Sequence, residues 1–221
     1  MPLNKAKGDM YPFVTHTWNT IKGKCPHNCS YCYMKRFGEQ PELHFDEKEL
    51  ETDLGSGNFI FVGSSCDMWA QDITKDWIGK TLDHCINSDH RKNTFLFQTK
   101  NPKNYFNWMY PRDVILGVTI ETNRIYPQMG ETPSPHVRSA RMSNLGNYIS
   151  TMVTIEPIMD FDMKTLIDLV VYCNPRWVNI GADSQGHHLP EPEPAKIDAL
   201  IVALKEFTQV KIKSNLKRLY K

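Results

Sequence analysis

The sequence predicts an α/β fold on a largely parallel sheet, and three observations carry that expectation. Short apolar, β-branched runs recur along the chain, longer amphipathic stretches separate them, and the alternation repeats about six times without internal repeats or low-complexity segments. Near-continuous apolar runs suit strands buried on both faces, and strand–helix alternation favours right-handed crossovers between parallel strands.

In chain order, the strand candidates are Phe13–Trp18, Asn58–Gly63, Thr94–Thr99, Val114–Thr119, Tyr148–Ile155, Trp177–Gly181 and Val210–Lys213. Three helices are predicted between them. Ile73–Asn87 gathers Trp77, Ile78, Leu82, Cys85 and Ile86 on one face. Asp162–Cys173 carries Leu166, Ile167, Leu169 and Val170, with Asp160 or Asp162 available to cap its start. Pro194–Phe207 carries Ile197, Leu200, Ile201 and Leu204, with Pro194 in its first turn. The Pro- and Met-containing stretch Tyr126–Pro135 is expected to be a mobile loop covering the site. Periodicity leaves two closures open, a doubly wound sheet or a barrel. In both, functional groups belong at the C-terminal ends of the strands.

A chain of 221 residues suits a single domain. Twenty-six basic against 25 acidic side chains give no global polyelectrolyte signal for nucleic acid or membrane. No apolar run approaches membrane-spanning length, and the first residues lack the apolar core of a secretion signal. The expectation is a cytoplasmic protein without membrane partners. In a reducing compartment, clustered cysteines favour metal or catalytic work over disulfides.

Three of the six cysteines fall in Cys25-Pro26-His27-Asn28-Cys29-Ser30-Tyr31-Cys32, directly after the first predicted strand. Pro, His, Asn and Ser make this a poor core segment, and clustered thiolates suit a soft metal. A structural zinc needs a fourth ligand, for which His27 or His16 is available. An iron–sulfur cluster with one open iron needs only the three cysteines.

The Cys-x3-Cys-x2-Cys spacing, with Tyr31 before the third cysteine, resembles the radical S-adenosylmethionine (SAM) signature. Further strings narrow the resemblance: Thr17-Trp18-Asn19, Phe61–Met68, Gln98–Pro102, Leu116–Glu121, Thr154–Pro157 and Trp177–Gly181. In this order the set is similar to a phage-associated radical SAM family related to spore photoproduct lyase. The match covers a core of 13–186, leaving a C-terminal helix and basic tail over 193–221. The resemblance implies a partial (β/α)6 barrel with a short C-terminal strand and helix extension. It also implies a [4Fe–4S] cluster on Cys25, Cys29 and Cys32, SAM as cofactor, and an electron donor such as flavodoxin or ferredoxin.

Each polar part of SAM then needs a partner at a strand end. Where the superfamily commonly has a Gly-Gly-Glu segment, this chain has Gly63-Ser64-Ser65-Cys66-Asp67. Ser64, Ser65, backbone carbonyls or Asp67 would therefore receive the SAM amino group. Lys100 is expected to pair with the SAM carboxylate, and Thr119 and Glu121 to meet the ribose. Glu156 ends an apolar strand and needs either the cofactor or a basic neighbour, Arg138 or Arg141. Tyr31 is expected near the adenine. Cys66 stands at a strand end as a candidate hydrogen-atom donor, with a small buried residue as the alternative; Cys85 and Cys173 are expected in the core. Asp183, Ser184 and His187 follow the sixth strand as substrate contacts, and Lys213 and Asn215 begin a basic tail suited to a phosphodiester or a nucleotide. The expected activity is hydrogen abstraction from a nucleotide or nucleic acid. The alternatives are a peptide or protein substrate, or a non-catalytic iron–sulfur or zinc module.

Overall fold

A computed structural model describes residues 3–87 and 92–221. The strands are β1 (Asn4–Lys5), β2 (His16–Trp18), β3 (Ile21–Lys22), β4 (His44–Phe45), β5 (Phe59–Val62), β6 (Thr94–Thr99), β7 (Val114–Thr119), β8 (Ser150–Ile155), β9 (Trp177–Ile180) and β10 (Gln209–Ile212). The α-helices are α1 (Lys75–Ile86), α2 (Pro135–Ser143), α3 (Met163–Tyr172) and α4 (Pro194–Lys205). The main sheet runs β1-β2-β5-β6-β7-β8-β9-β10; β3 and β4 form a separate antiparallel pair. Every neighbouring pair from β2 to β10 is parallel, and β1 alone lies antiparallel on β2.

This is the expected α/β architecture with its C-terminal strand, although the helices do not follow a strict sixfold count. The crossovers from β2 to β5 and from β6 to β7 hold no α-helix among the described residues, only the β3–β4 pair and 3₁₀ turns that include Tyr33–Phe37, Glu47–Glu51 and Pro102–Tyr105. Helix α2 begins at Pro135, the last residue of the expected loop Tyr126–Pro135. Ser134 accepts a hydrogen bond from the Val137 amide and caps it, with Pro135 at its start. Its buried face includes Arg138 and Ser139, so an apolar stripe does not announce it. Asp162 stands at the start of α3 but makes no side-chain cap there; its carboxylate serves Arg124 and Asn123 instead.

Strand alternation separates two faces. Phe95, Phe97, Leu116, Val118, Val153, Ile155, Val178 and Ile180 pack with the helices, against Ile78, Leu82, Leu166, Val170 and Leu200. Cys85 and Cys173 are buried in the same core. The opposite face is layered. Leu96, Ile115, Met152 and Trp177 form an apolar floor with Tyr11, Phe13, Val14, Phe59 and Phe61. Above it lie Gln98, Thr119, Thr154 and Asn179. The Tyr11 hydroxyl donates to Gln98 Oε1 at 2.8 Å and lies 2.9 Å from Thr154 Oγ1. Gln98 Nε2 in turn donates to Thr119 Oγ1 at 2.9 Å. Residues 11–14 thus fill one end of the curved sheet, and the C-terminal strand ends form the other.

Candidate active site

The cysteine loop leaves β2 by way of β3 and is held on several sides. Asn28 turns it with φ at 46°. The Ser30 amide donates to the Gln128 carbonyl, and the Glu131 amide to the His27 carbonyl. Segment 126–131 therefore lies on the loop, with Pro127–Met129 in a 3₁₀ turn. Its Met129 joins Cys29, Tyr31, Met159 and Leu189 in one apolar cluster, with Cys32 and Tyr126 packed against it.

The loop is also laced to the strand ends. Asn19, just past β2, accepts from the Ser65 amide at 2.9 Å and from the Ser64 hydroxyl at 3.2 Å. Buried His27 donates through Nε2 to Asp67 Oδ2 at 2.8 Å. The same oxygen accepts from Thr99 Oγ1 and the Lys100 amide, while Oδ1 accepts from the Trp69 amide. Burial alone would raise the Asp67 carboxyl, but His27 and these hydrogen bonds hold it below the usual carboxylate range. Asp67 therefore clamps the loop to β5 and β6 with oxygens already committed to the protein, which leaves less room for the expected amino-group contact.

A second buried node sits at the end of β7. Glu121 is fully buried, with Oε2 2.6 Å from Arg138 Nη1 and Oε1 accepting from the Tyr31 hydroxyl at 2.5 Å. Lys100 Nζ lies 3.4 Å from Oε1 and 5.4 Å from the centre of the Tyr31 ring. Arg138, equally buried, also donates to the carbonyls of Pro133 and Thr119. Burial opposes the Glu121 charge, yet Arg138 and Lys100 lower its carboxyl to about 2. Burial raises the Tyr31 phenol. For Lys100, burial lowers the ammonium, but Glu121 and Cys29 reverse that and raise it. Glu121 thus orients Tyr31 and Lys100 rather than facing open space. Arg138, expected as a possible partner of Glu156, belongs to Glu121.

Glu156 pairs instead with the chain's last strand and turn. Its Oε2 lies 2.7 Å from Lys213 Nζ, and its Oε1 accepts from Asn215 Nδ2 at 2.8 Å. Asn215 also donates to the Ser184 hydroxyl and the Ala182 carbonyl. Asp183 accepts from the His187 amide and, at 2.7 Å, from His187 Nδ1. Glu156, Asp183, Ser184, His187, Lys213 and Asn215 therefore meet at the ends of β8, β9 and β10. Loop 183–190 reaches the cysteine side through Leu189. The tail is less basic than its sequence implies: Lys213 pairs with Glu156 and Arg218 with Glu191.

All six cysteines are free thiols. Cys29 is buried and donates to the Met129 carbonyl at 3.2 Å; burial raises its thiol. Cys25 and Cys32 are half-buried. The neighbouring Cys66 thiol pushes the Cys25 thiol below its ordinary value. Among the described residues, no group of three or more His, Cys, Asp or Glu side chains converges as a single-ion site. Thiolates of an iron–sulfur cluster bind separate irons, whereas those of a structural zinc crowd around one atom at about 2.3 Å. In donor chemistry, the three thiols of Cys25, Cys29 and Cys32 suit an iron–sulfur cluster, which needs no fourth protein ligand.

Comparison with solved structures shows a fold shared with spore photoproduct lyase and with SuiB. A mutant of spore photoproduct lyase aligns with 96% of this chain and 80% of its own, at 11% identity and a TM-score of 0.66. Another, with bound AdoMet and dinucleoside spore photoproduct, aligns with 90% of this chain and 64% of its own, at 11% identity and a TM-score of 0.58. SuiB of Streptococcus suis bound to S-adenosylmethionine aligns with 91% of this chain, which spans 50% of SuiB, at 8% identity and a TM-score of 0.58. Protein-family models and curated protein sequences gave no match. No helix among the described residues is long and apolar enough to cross a membrane.

Proposed function

We propose that the chain is a radical SAM enzyme whose cluster is held by Cys25, Cys29 and Cys32. The observation that carries this reading is the position of the three-thiol loop. It follows the first parallel strand, in a fold shared with spore photoproduct lyase, and is clamped to the next strands through His27–Asp67. Bound to this loop, a [4Fe–4S] cluster would supply the one-electron chemistry for reductive SAM cleavage and hydrogen abstraction.

The chain's own residues bind and orient. Lys100 offers its ammonium to the SAM carboxylate, held in place by Glu121 and the face of Tyr31. Ser64 and Ser65 offer hydroxyls and carbonyls to the amino group, and Thr119 lies on the ribose side. Asp67 and Glu121 act through the side chains they hold. Met129, Met159 and Leu189 keep water from the loop. An acidic one-electron carrier of the flavodoxin or ferredoxin type would supply the electron.

The substrate side is the polar group of Glu156, Asp183, Ser184, His187, Lys213 and Asn215. We assign it a nucleotide or nucleic acid substrate. The dinucleoside bound by one neighbour of this fold supports that class, as does a site rich in hydrogen-bonding groups. The test is anaerobic reconstitution, dithionite reduction with SAM, and quantification of 5′-deoxyadenosine. Wild type is expected to form it and C29A is not; a loaded wild type that forms none contradicts the proposal. Adding oligonucleotides, nucleotides or peptides then identifies the substrate class by faster SAM cleavage.

A further inference from the structure

The polar layer above the apolar floor has a direction, because a hydroxyl carries one proton and an amide nitrogen can only donate. Tyr11 donates its proton to Gln98 Oε1 at 2.8 Å. Across its 2.9 Å contact with Thr154 Oγ1 it must therefore accept, and Thr154 donates. Thr154 in turn accepts from Asn179 Nδ2 at 3.4 Å. On the other side, Gln98 Nε2 donates to Thr119 Oγ1 at 2.9 Å. Every hydroxyl proton of the layer is then spent except that of Thr119, which meets no protein acceptor among the described residues. Thr119 ends β7 and is only 2% exposed. A buried donor without an acceptor is costly, so a ligand atom that accepts there is favoured.

We propose that Tyr11 is a positioning residue: by fixing the Gln98 amide, it keeps the Thr119 hydroxyl proton available as a donor to a ribose hydroxyl oxygen of bound SAM. The inference rests on the radical SAM reading above, which puts Thr119 on the ribose side and leaves open what orients it. The Tyr11 ring is itself held, stacked on Phe13 at 5.3 Å with Lys213 Nζ 5.0 Å from its centre. Without the Tyr11 hydroxyl, the Gln98 amide is free to turn over, present its oxygen to Thr119 and take up that proton.

The experiment measures equilibrium binding of SAM, and of its 2′-deoxy and 3′-deoxy ribose analogues, to anaerobically reconstituted wild type, Y11F, T119S, T119V and T154V. Wild type is expected to bind SAM about fivefold more tightly than one of the analogues. Y11F and T119V are expected to lose most of that preference, and T119S, which keeps a hydroxyl, to retain it. A ratio of two ligands on one variant does not depend on how much of that variant is folded. Wild type without the preference, or Y11F that keeps it in full, overturns the inference. So does loss of the preference in T154V with T119V unchanged, which would place the spare proton at the other end of the layer. Reconstituted wild type that binds neither SAM nor the analogues contradicts the underlying functional reading instead.

Discussion

At the ends of β2, β5, β6 and β7, charged partners come from distant parts of the chain and meet out of solvent. Glu121 and Arg138 have side chains 0% exposed, and His27 and Asp67 5% and 12%. At the ends of β8, β9 and β10 burial is mixed: Lys213 and Glu156 are 11% and 16% exposed, while the other pairs are wetter or local. Asp183 and His187 are four residues apart, His187 is 21% exposed, and Arg218 is 43% exposed. A buried pair is costly to break because the abandoned charge cannot recover water, whereas a wetter pair exchanges partners cheaply. The first half of the mouth suits a fixed cofactor shell, and the second suits an adaptable substrate surface.

The strongest challenge to this contrast is Arg138→Ala. It leaves the Glu121 carboxylate buried without its main cation and is expected to cost about 3–5 kcal/mol, read by urea unfolding. Asp67→Ala strands His27, Thr99 and the Lys100 amide and is expected to cost about 2–3 kcal/mol, with reduced iron retention. Gly181→Ala acts on the other half. A Cβ there would stand 2.8 Å from the Glu156 carboxyl and 2.9 Å from Asn215 Oδ1. It should cost about 1–3 kcal/mol by overpacking and slow substrate-dependent turnover more than SAM binding. Lys213→Met leaves Glu156 with Asn215 and is expected to cost about 1.5–2.5 kcal/mol while lowering substrate affinity. Equal costs for Arg138→Ala and Lys213→Met would erase the distinction.

Acid sharpens the same comparison. The Glu121 carboxyl is lowered to about 2 in the folded protein, against its ordinary 4.5. Its ionised form therefore stabilises the fold above the unfolded value, and that contribution is lost as pH falls from 4.5 towards 2. Glu121→Gln should flatten the pH dependence of stability across that window. An unchanged acid-unfolding curve would remove Glu121 from the account.

Much of the architecture was legible in the sequence because parallel strands are written as continuous apolar runs. All seven predicted runs contain or closely overlap an observed parallel strand, from β2 to β10. Helix α2 was not legible, because it buries Arg138 and Ser139 and so lacks the apolar periodicity of α1, α3 and α4. The strand-end rule brought Lys100, Glu121, Glu156 and Asp183 to the mouth, but it carries no information about pairing. Which cation serves which carboxylate depends on helix placement and on the return of the C-terminal strand. Arg138 went to Glu121 and Lys213 to Glu156 for that reason. The clamp of His27 on Asp67 was equally hidden: its partners lie 40 residues apart, and only the parallel pairing of β2 with β5 brings their segments together.

The central claim is that Cys25, Cys29 and Cys32 hold one iron–sulfur cluster. Iron and sulfide analysis of anaerobically reconstituted protein, with electron paramagnetic resonance of the reduced form, tests it most directly. About four irons and four sulfides per chain are expected in wild type, C85S and C173S. Loss of the signal is expected on replacing any one of Cys25, Cys29 or Cys32. One zinc per chain, or iron uptake unaffected by C29A, would contradict the account.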